Sequence, residues 1–281
     1  VGSEMCIRDS CNIFNPPQEK RLGYFIQLIG VFFFGFLFCL AWYYYKERML
    51  SFDPAFFSFR IIDDENFDVE LGRWGSVISQ WLPILALKQS CSLETFLRLY
   101  SVSFIISYYI VFLIITFGLK NYKAAIGLMI ALCLTFRHSF YYATGELYQG
   151  IALTILLWAI MSPEKNYSDK QKWIAAAISC VLIYVISYFH QLTFFTVFFV
   201  LFFEFLYNKR YKDFPLISVI VFALIWYIIR IKFLTTTEYE KSKMIDLQLI
   251  SDQLPRLREL PCYIYFKQFA KQYLIWFALV M

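Results

Sequence analysis

Charge is scarce in this chain: Asp, Glu, Lys and Arg make up 17% of its 281 residues, where a soluble domain carries about a quarter. The net charge of +5 is spread over short polar segments. No concentrated basic stripe exists, so a nucleic-acid-binding surface has no footing. The seven cysteines include neither a CxxC pair nor a Cys/His pairing at metal-ligand spacing. Cys39, Cys133 and Cys180 fall inside apolar runs, where a thiol packs as a small hydrophobe. Neither a disulfide framework nor a structural zinc site is expected. No internal repeat is visible, and glycines and prolines mostly fall at the ends of apolar runs.

Apolar residues fill the space that charge leaves. The chain is 60% hydrophobic and 21% aromatic. Apolar runs of about 13 to 24 residues recur between short polar clusters, and most approach the length that crosses a bilayer. A soluble core can bury one or two such helices, but hardly about eight. The expected fold class is therefore all-α, a polytopic integral membrane helical bundle of about eight spans with two interfacial helices.

The expected spans cover residues 24–45, 96–119, 124–136, 147–161, 173–189, 192–207, 214–229 and 263–281. Lys20 and Arg21 precede the first span and Trp42, Tyr43, Tyr44 and Tyr45 close it, the flanks of an uncleaved signal anchor. Residues 1–10, VGSEMCIRDS, resemble translated read-through from a sequencing adapter and read as a non-native lead. Residues 11–23 form a cytoplasmic N-terminus and 24–281 a single transmembrane domain. That domain reads as C-terminally truncated, because Met281 falls inside an apolar run.

Between the first two spans, residues 46–94 are too polar to cross. Asp53-Pro54 reads as a helix cap followed by proline at the first helical position, opening an interfacial helix over 55–62. Residues 74–88, interrupted by Gln80 and Pro83, read as a second interfacial or re-entrant helix. The links 120–123, 163–172 and 208–213 are short and lysine-rich. By the positive-inside rule they face the cytoplasm with the N-terminus, in the inner (plasma) membrane of a bacterium.

Under that topology the remaining polar residues gather at the outer face. Span 124–136 has about 20 Å of helix against about 30 Å of hydrocarbon, so its helix either continues through Arg137 and His138 or leaves them below the headgroups. Glu146, His190 and Gln191 fall at the same level, and Arg73 adds a cation in the outer loop. Ionisable groups at membrane depth usually face a wet, protein-lined cavity. Each also has a plainer reading. Glu146 complements the dipole of a helix start, Arg137 snorkels to lipid phosphate, and His190-Gln191 serves as a hairpin turn. The acidic run 63–70 reads as a solvated loop face, and Glu204 as a structural partner of Lys209 or Arg210.

A cavity holding Arg and His beside a carboxylate suits a lipid-anchored phosphate donor: cations hold the phosphate and a carboxylate deprotonates an acceptor hydroxyl. The order of a cytoplasmic entry span, an Asp in Ser51-Phe-Asp-Pro54, two interfacial helices and many further spans resembles the GT-C class of membrane glycosyltransferases. The stretch Arg137-His-Ser-Phe-Tyr-Tyr-Ala-Thr-Gly-Glu146 is also similar to a pattern in bacterial membrane proteins grouped near that class. The resemblance covers residues 20–160. It implies a polyprenyl-phosphate sugar donor, with Asp53 as the base and Asp63 or Asp64 as substitutes. It makes Arg137, His138 and His190 phosphate partners. The adjacent acidic pair of the class is missing at Asp53, where Pro54 follows.

The resulting expectation is a glycosyltransferase moving a sugar from a polyprenyl-phosphate donor to an acceptor at the outer face. Its partners are membrane lipid and the lipid-linked donor, with no nucleic acid. No cofactor is called for and a divalent metal stays open; oligomeric state is not legible. A polysaccharide polymerase or O-antigen-ligase-like protein is the nearest rival, for which Arg256 and Arg258 are eligible. A transporter or flippase, or a scaffold without chemistry, are the others.

Overall fold

A computed structural model describes residues 16–143, 145–162, 167–230 and 254–259, with 261, 263–265, 267, 268 and 271. The chain divides into two compact units, residues 1–233 and 234–281. The lead 1–10 and most of the last expected span, 263–281, lie outside the described residues. In the second unit Leu254–Glu259 forms a 3₁₀ helix in which Arg256 and Arg258 are exposed.

The first unit is all-helical among its described residues. Its helices are α1 (Pro16–Tyr43), α2 (Tyr45–Met49), α3 (Phe52–Asp64), α4 (Val77–Leu87), α5 (Leu93–Leu113), α6 (Tyr122–Leu134), α7 (Phe136–Ser139), α8 (Glu146–Met161), α9 (Asp169–Ile186), α10 (Thr193–Leu206) and α11 (Phe214–Ile229). A π-helical turn, Ile114–Leu119, prolongs α5. Among the described residues two helical stretches, Arg21–Tyr43 and Leu93–Leu119, are long and apolar enough to cross a membrane, where about eight spans were expected. Helices α6, α8, α10 and α11 are apolar but shorter.

Local sequence accounts for the helix starts. Ser92 accepts the Thr95 N–H ahead of α5, Asn121 that of Ala124 ahead of α6, and Asp213 that of Leu216 ahead of α11. Ser168 and Gln171 form a reciprocal capping box at α9. Ser51, in extended backbone, precedes α3, so Asp53 lies within the first turn rather than capping it. The helix is also longer than the 55–62 expected. The second interfacial segment resolves into a 3₁₀ turn, Trp74–Ser76, followed by α4. That helix packs on α5 and buries Ser79, Gln80, Pro83, Ile84 and Ala86.

Helix α6 stops where the Thr135 hydroxyl donates back to the Ala131 carbonyl at 2.7 Å, a bond that competes with the helical ladder. The chain then resumes as α7, so the backbone continues helically through Arg137 and His138. Their side chains lie outside the description.

Helices α5 and α8 are the hubs. Helix α5 touches α1, α4 and α8; α8 touches α5, α6, α9 and α10; α11 lies on α9 and α10. Neighbours in sequence mostly run antiparallel. Ser101 Oγ donates to Ala41 O at 2.7 Å where α1 ends and α5 begins, and Asn121 Nδ2 donates to Ala159 O at 3.4 Å where α6 begins and α8 ends. One end of the bundle therefore gathers the ends of α1 and α9, the start of α8 and the segment before α4. The other gathers the ends of α5, α8 and α10. Outward faces stay apolar: on α9 Ile174, Ile178 and Val181 are exposed while Ala176, Ile183 and Ile186 are buried. On α10 Phe195, Phe199 and Phe202 point outward.

Candidate functional site

Arg73, Glu146 and His190 come together at the first of these ends. Arg73 lies between the 3₁₀ turns Glu70–Gly72 and Trp74–Ser76. That segment is docked onto the α9–α10 turn, since the Gly75 N–H donates to Tyr188 O at 3.0 Å. A Cβ on Gly75 would stand 2.4 Å from the Phe189 ring, so only glycine permits the approach. Gly150 of α8 faces Thr193 as closely, with a Cβ at 2.4 Å. Arg73 is thereby brought to the first turn of α8, where its Nη1 donates to a Glu146 oxygen at 3.2 Å.

His190 sits half-buried in the α9–α10 turn, and its Nδ1 accepts the Leu192 N–H at 3.1 Å. Burial, reinforced by the Arg73 charge, pushes its imidazole down to about 4. It is therefore neutral at pH 7, with the proton on Nε2. His190 offers a ligand a hydrogen-bond donor, not the second cation that the phosphate-partner reading implies. Gln191, next in the turn, has an Nε2 with no partner among the described residues.

The acidic run before Arg73 divides into two parts. Asp63, Asp64 and Glu65 are exposed, as a solvated face requires. Asp68 is 4% exposed, which corrects that reading for its second half. Its backbone N–H donates to Gln80 Oε1 at 2.9 Å and its carbonyl accepts from Gln80 Nε2 at 2.8 Å. Its carboxylate meets Arg60 at 3.1 Å, and Arg60 also holds Glu70 at 2.9 Å. Burial raises the Asp68 carboxyl above the ordinary Asp range, with Arg60 opposing. This clasp fixes the loop that carries Arg73 onto α4.

Asp53 is exposed in the first turn of α3. Phe52 beside it holds a left-handed φ of 44°, unusual for a bulky residue. Its ring stacks on Tyr142 at 6.5 Å, so the start of α3 touches the connector between α7 and α8. The described residues include no cluster of three or more His, Cys, Asp or Glu arranged to hold a metal.

Sequence reasoning missed Arg48. It belongs to α2 and is 0% exposed. Burial lowers it to about 9, which still leaves it charged at neutral pH. Taking such a charge out of water costs several kcal/mol unless partners compensate. The only signal for it was its place in the charged triplet Lys46-Glu47-Arg48 just after the aromatic belt of α1, in a stretch read as outer loop.

At the opposite end Glu204 is buried and satisfied: Trp158 Nε1 donates to it at 2.9 Å, Asn208 Nδ2 at 2.9 Å and Arg210 Nη1 at 3.0 Å. The expected pairing with Arg210 is what the structure contains. Beside it, Lys172, Lys209, Arg210 and Lys212 line a cleft of about 650 Å³ with Asp169 and Asp213. A groove of about 600 Å³ runs along α8 and α10 between Ile151, Ile155, Trp158, Phe195 and Phe199. No protein family, curated protein or solved structure matches the chain.

Proposed function

We propose that the chain is a multi-pass membrane transferase that moves a sugar from a polyprenyl-phosphate donor to an acceptor at the outer face of a bacterial plasma membrane. The observation that carries this is the convergence of Arg73, Glu146 and His190, from three distant segments, at one end of an apolar bundle. Large apolar side chains are exposed along the outward sides of α9, α10 and α11, and lipid is the solvent that suits them. The shorter helices, of 13 to 16 residues, reach about 20 to 24 Å, so a locally thinned bilayer accompanies this reading. The lysines at the opposite end favour a cytoplasmic assignment for that end and for the N-terminus.

In this reading the donor phosphate enters beside Arg73, with His190 donating a neutral hydrogen bond. The bond between the sugar's anomeric carbon and the phosphate oxygen breaks, and the departing oxygen keeps the electron pair, stabilised by the guanidinium. The acceptor hydroxyl oxygen bonds to that carbon, and its proton passes to a carboxylate. Asp53 is the base candidate, exposed at the start of α3 and free of packing that its loss would disturb; Asp63 and Asp64 are its substitutes. The groove along α8 and α10 has the apolar lining that a polyprenyl tail needs.

One observation favours a second reading. Arg48, Arg60 and Arg73 all lie in the first outer segment, and a polymerase or ligase joining two lipid-linked glycans places arginines in its outer loops. The two readings separate in one assay. Vesicles containing the purified protein receive a radiolabelled polyprenyl-linked sugar and acceptor. Single transfer is the outcome expected, and a ladder of products would favour the polymerase. The Asp53→Asn variant, folded and inserted, should lose transfer. Full activity in it removes the base assignment, and no lipid-dependent transfer by the wild type removes the function.

A further inference from the structure

Among the described residues, Arg48 and Arg210 both reach into the helix packing, and they differ in how their donors are used. Arg210 is fully engaged: Nη1 donates to Glu204 and to Met161 O, and Nε and Nη2 both meet Asp213. Its charge is balanced and its role is to tie α8, α10 and α11 together. Arg48 is more deeply buried, yet only Nη2 has a hydrogen-bond partner, the Ser101 carbonyl at 3.1 Å. Its Nε and Nη1 have none among the described residues, and no carboxylate there pairs with it. The guanidinium carbon, Cζ, lies 4.1 Å from the centre of the Phe140 ring.

Tyr108 stands close enough to Arg48 for the two to interact electrostatically. It lies on the same face of α5 as Ser101, seven residues on, and is 1% exposed. Its hydroxyl also lacks a partner among the described residues. A buried structural arginine normally has its donors satisfied, because each unmade hydrogen bond in the interior is costly. Here the unused groups are the N–H donors of a cation and an O–H. What would complete them is a group that accepts several hydrogen bonds and carries negative charge.

We propose that Arg48 and Tyr108 form an oxyanion site that takes the phosphate of a phosphorylated lipid. The assignment of phosphate rests on the transferase reading above; the need for an anionic acceptor does not. Phe140 closes the site. It belongs to the connector between α7 and α8, the same connector whose Tyr142 stacks on Phe52 beside Asp53. Arg73 is committed to Glu146, whereas Arg48 brings a charge that no carboxylate among the described residues neutralises. This makes Arg48 the stronger anchor for a phosphate, in a fork geometry that lysine cannot reproduce.

Binding is measured without any activity assay, on the purified full chain in detergent. Farnesyl pyrophosphate serves as the lipid-bearing probe and inorganic pyrophosphate as the lipid-free one, read by native mass spectrometry and by the shift in thermal unfolding. Tyr108→Phe removes a hydroxyl with no partner among the described residues, so the variant should fold as the wild type does. It should weaken probe binding about tenfold, the size of one charge-assisted hydrogen bond. Arg48→Gln should weaken it about a hundredfold or more, with Arg48→Lys between. Binding of farnesyl pyrophosphate alone, lost in these variants, supports a lipid-borne source. Binding of both probes, lost together, supports a site that recognises the phosphate by itself. Equal binding by wild type and Tyr108→Phe overturns the site but leaves the transferase reading standing. Binding of neither probe by the wild type overturns both.

Discussion

Arg73 Nη1 and the Glu146 carboxylate meet at 3.2 Å although 73 positions separate them in the chain. The pair joins the segment before α4 to the first turn of α8, and its side chains are 19% and 7% exposed. A carboxylate in the first turn of a helix already complements the dipole, which was the plainer reading of Glu146. The partner adds a contact that the helix start alone does not supply.

Breaking that pair should therefore act on both structure and transfer. Glu146→Gln keeps the shape and removes the charge, and is expected to destabilise by about 1–3 kcal/mol. Transfer should fall at least tenfold, because Arg73 then loses the carboxylate that helps to position it. Thermal unfolding and transfer per folded molecule, measured side by side, check this. A variant with both at wild-type level would make the pair incidental.

His190 carries a pH signature whose sign is fixed. Its imidazole titrates near 4 in the folded protein, under burial and the Arg73 charge, against about 6.5 when unfolded. Between those values the unfolded chain binds the extra proton. The contribution of His190 is thus fully present above about pH 6.5, declines as pH falls, and is lost below about 4. Discounted for its partial exposure, it amounts to about 1–2 kcal/mol. Asp68, raised by burial, works in the opposite direction at the acid end. It is common to both proteins when wild type is compared with His190→Asn. That variant should lose the slope between pH 4 and 6.5 in denaturant unfolding, and an unchanged slope would mean that His190 titrates normally.

The opposite end supplies a control. Glu204→Ala leaves the donors of Trp158, Asn208 and Arg210 without their acceptor, and should cost about 3–5 kcal/mol. Because this cluster lies at the far end from Arg73, transfer per folded molecule should stay near wild type. A selective loss of activity with stability intact would place chemistry at the wrong end of the bundle.

Orientation is testable apart from chemistry. Residues 230–262 are expected on the outer side, and Ser242 lies outside the described residues. In a background lacking the native cysteines, Ser242→Cys should react with an impermeant thiol reagent applied to intact cells. Labelling confined to lysed cells would invert the topology.

Composition and periodicity were enough to determine that the described residues are helical and which of their helices are apolar, though α1 begins at Pro16 rather than at residue 24 and two of the described helices have crossing length where about eight spans were expected. The reason is local: apolar run length, caps such as Asn121 and Asp213, and lysine-rich links act on their own neighbours in sequence. The pairing of Glu204 with Arg210 was legible for the same cause, since six residues separate them. The interior of the site was not. Asp68 read as solvated until Gln80 and Arg60 closed around it. His190 read as a cation until burial beside Arg73 made it neutral. Arg48 read as a loop residue until α5 and the α7–α8 connector covered it. Each of these depends on contact between segments far apart in the chain, and burial sets the charge state and value of a polar group only once those segments meet.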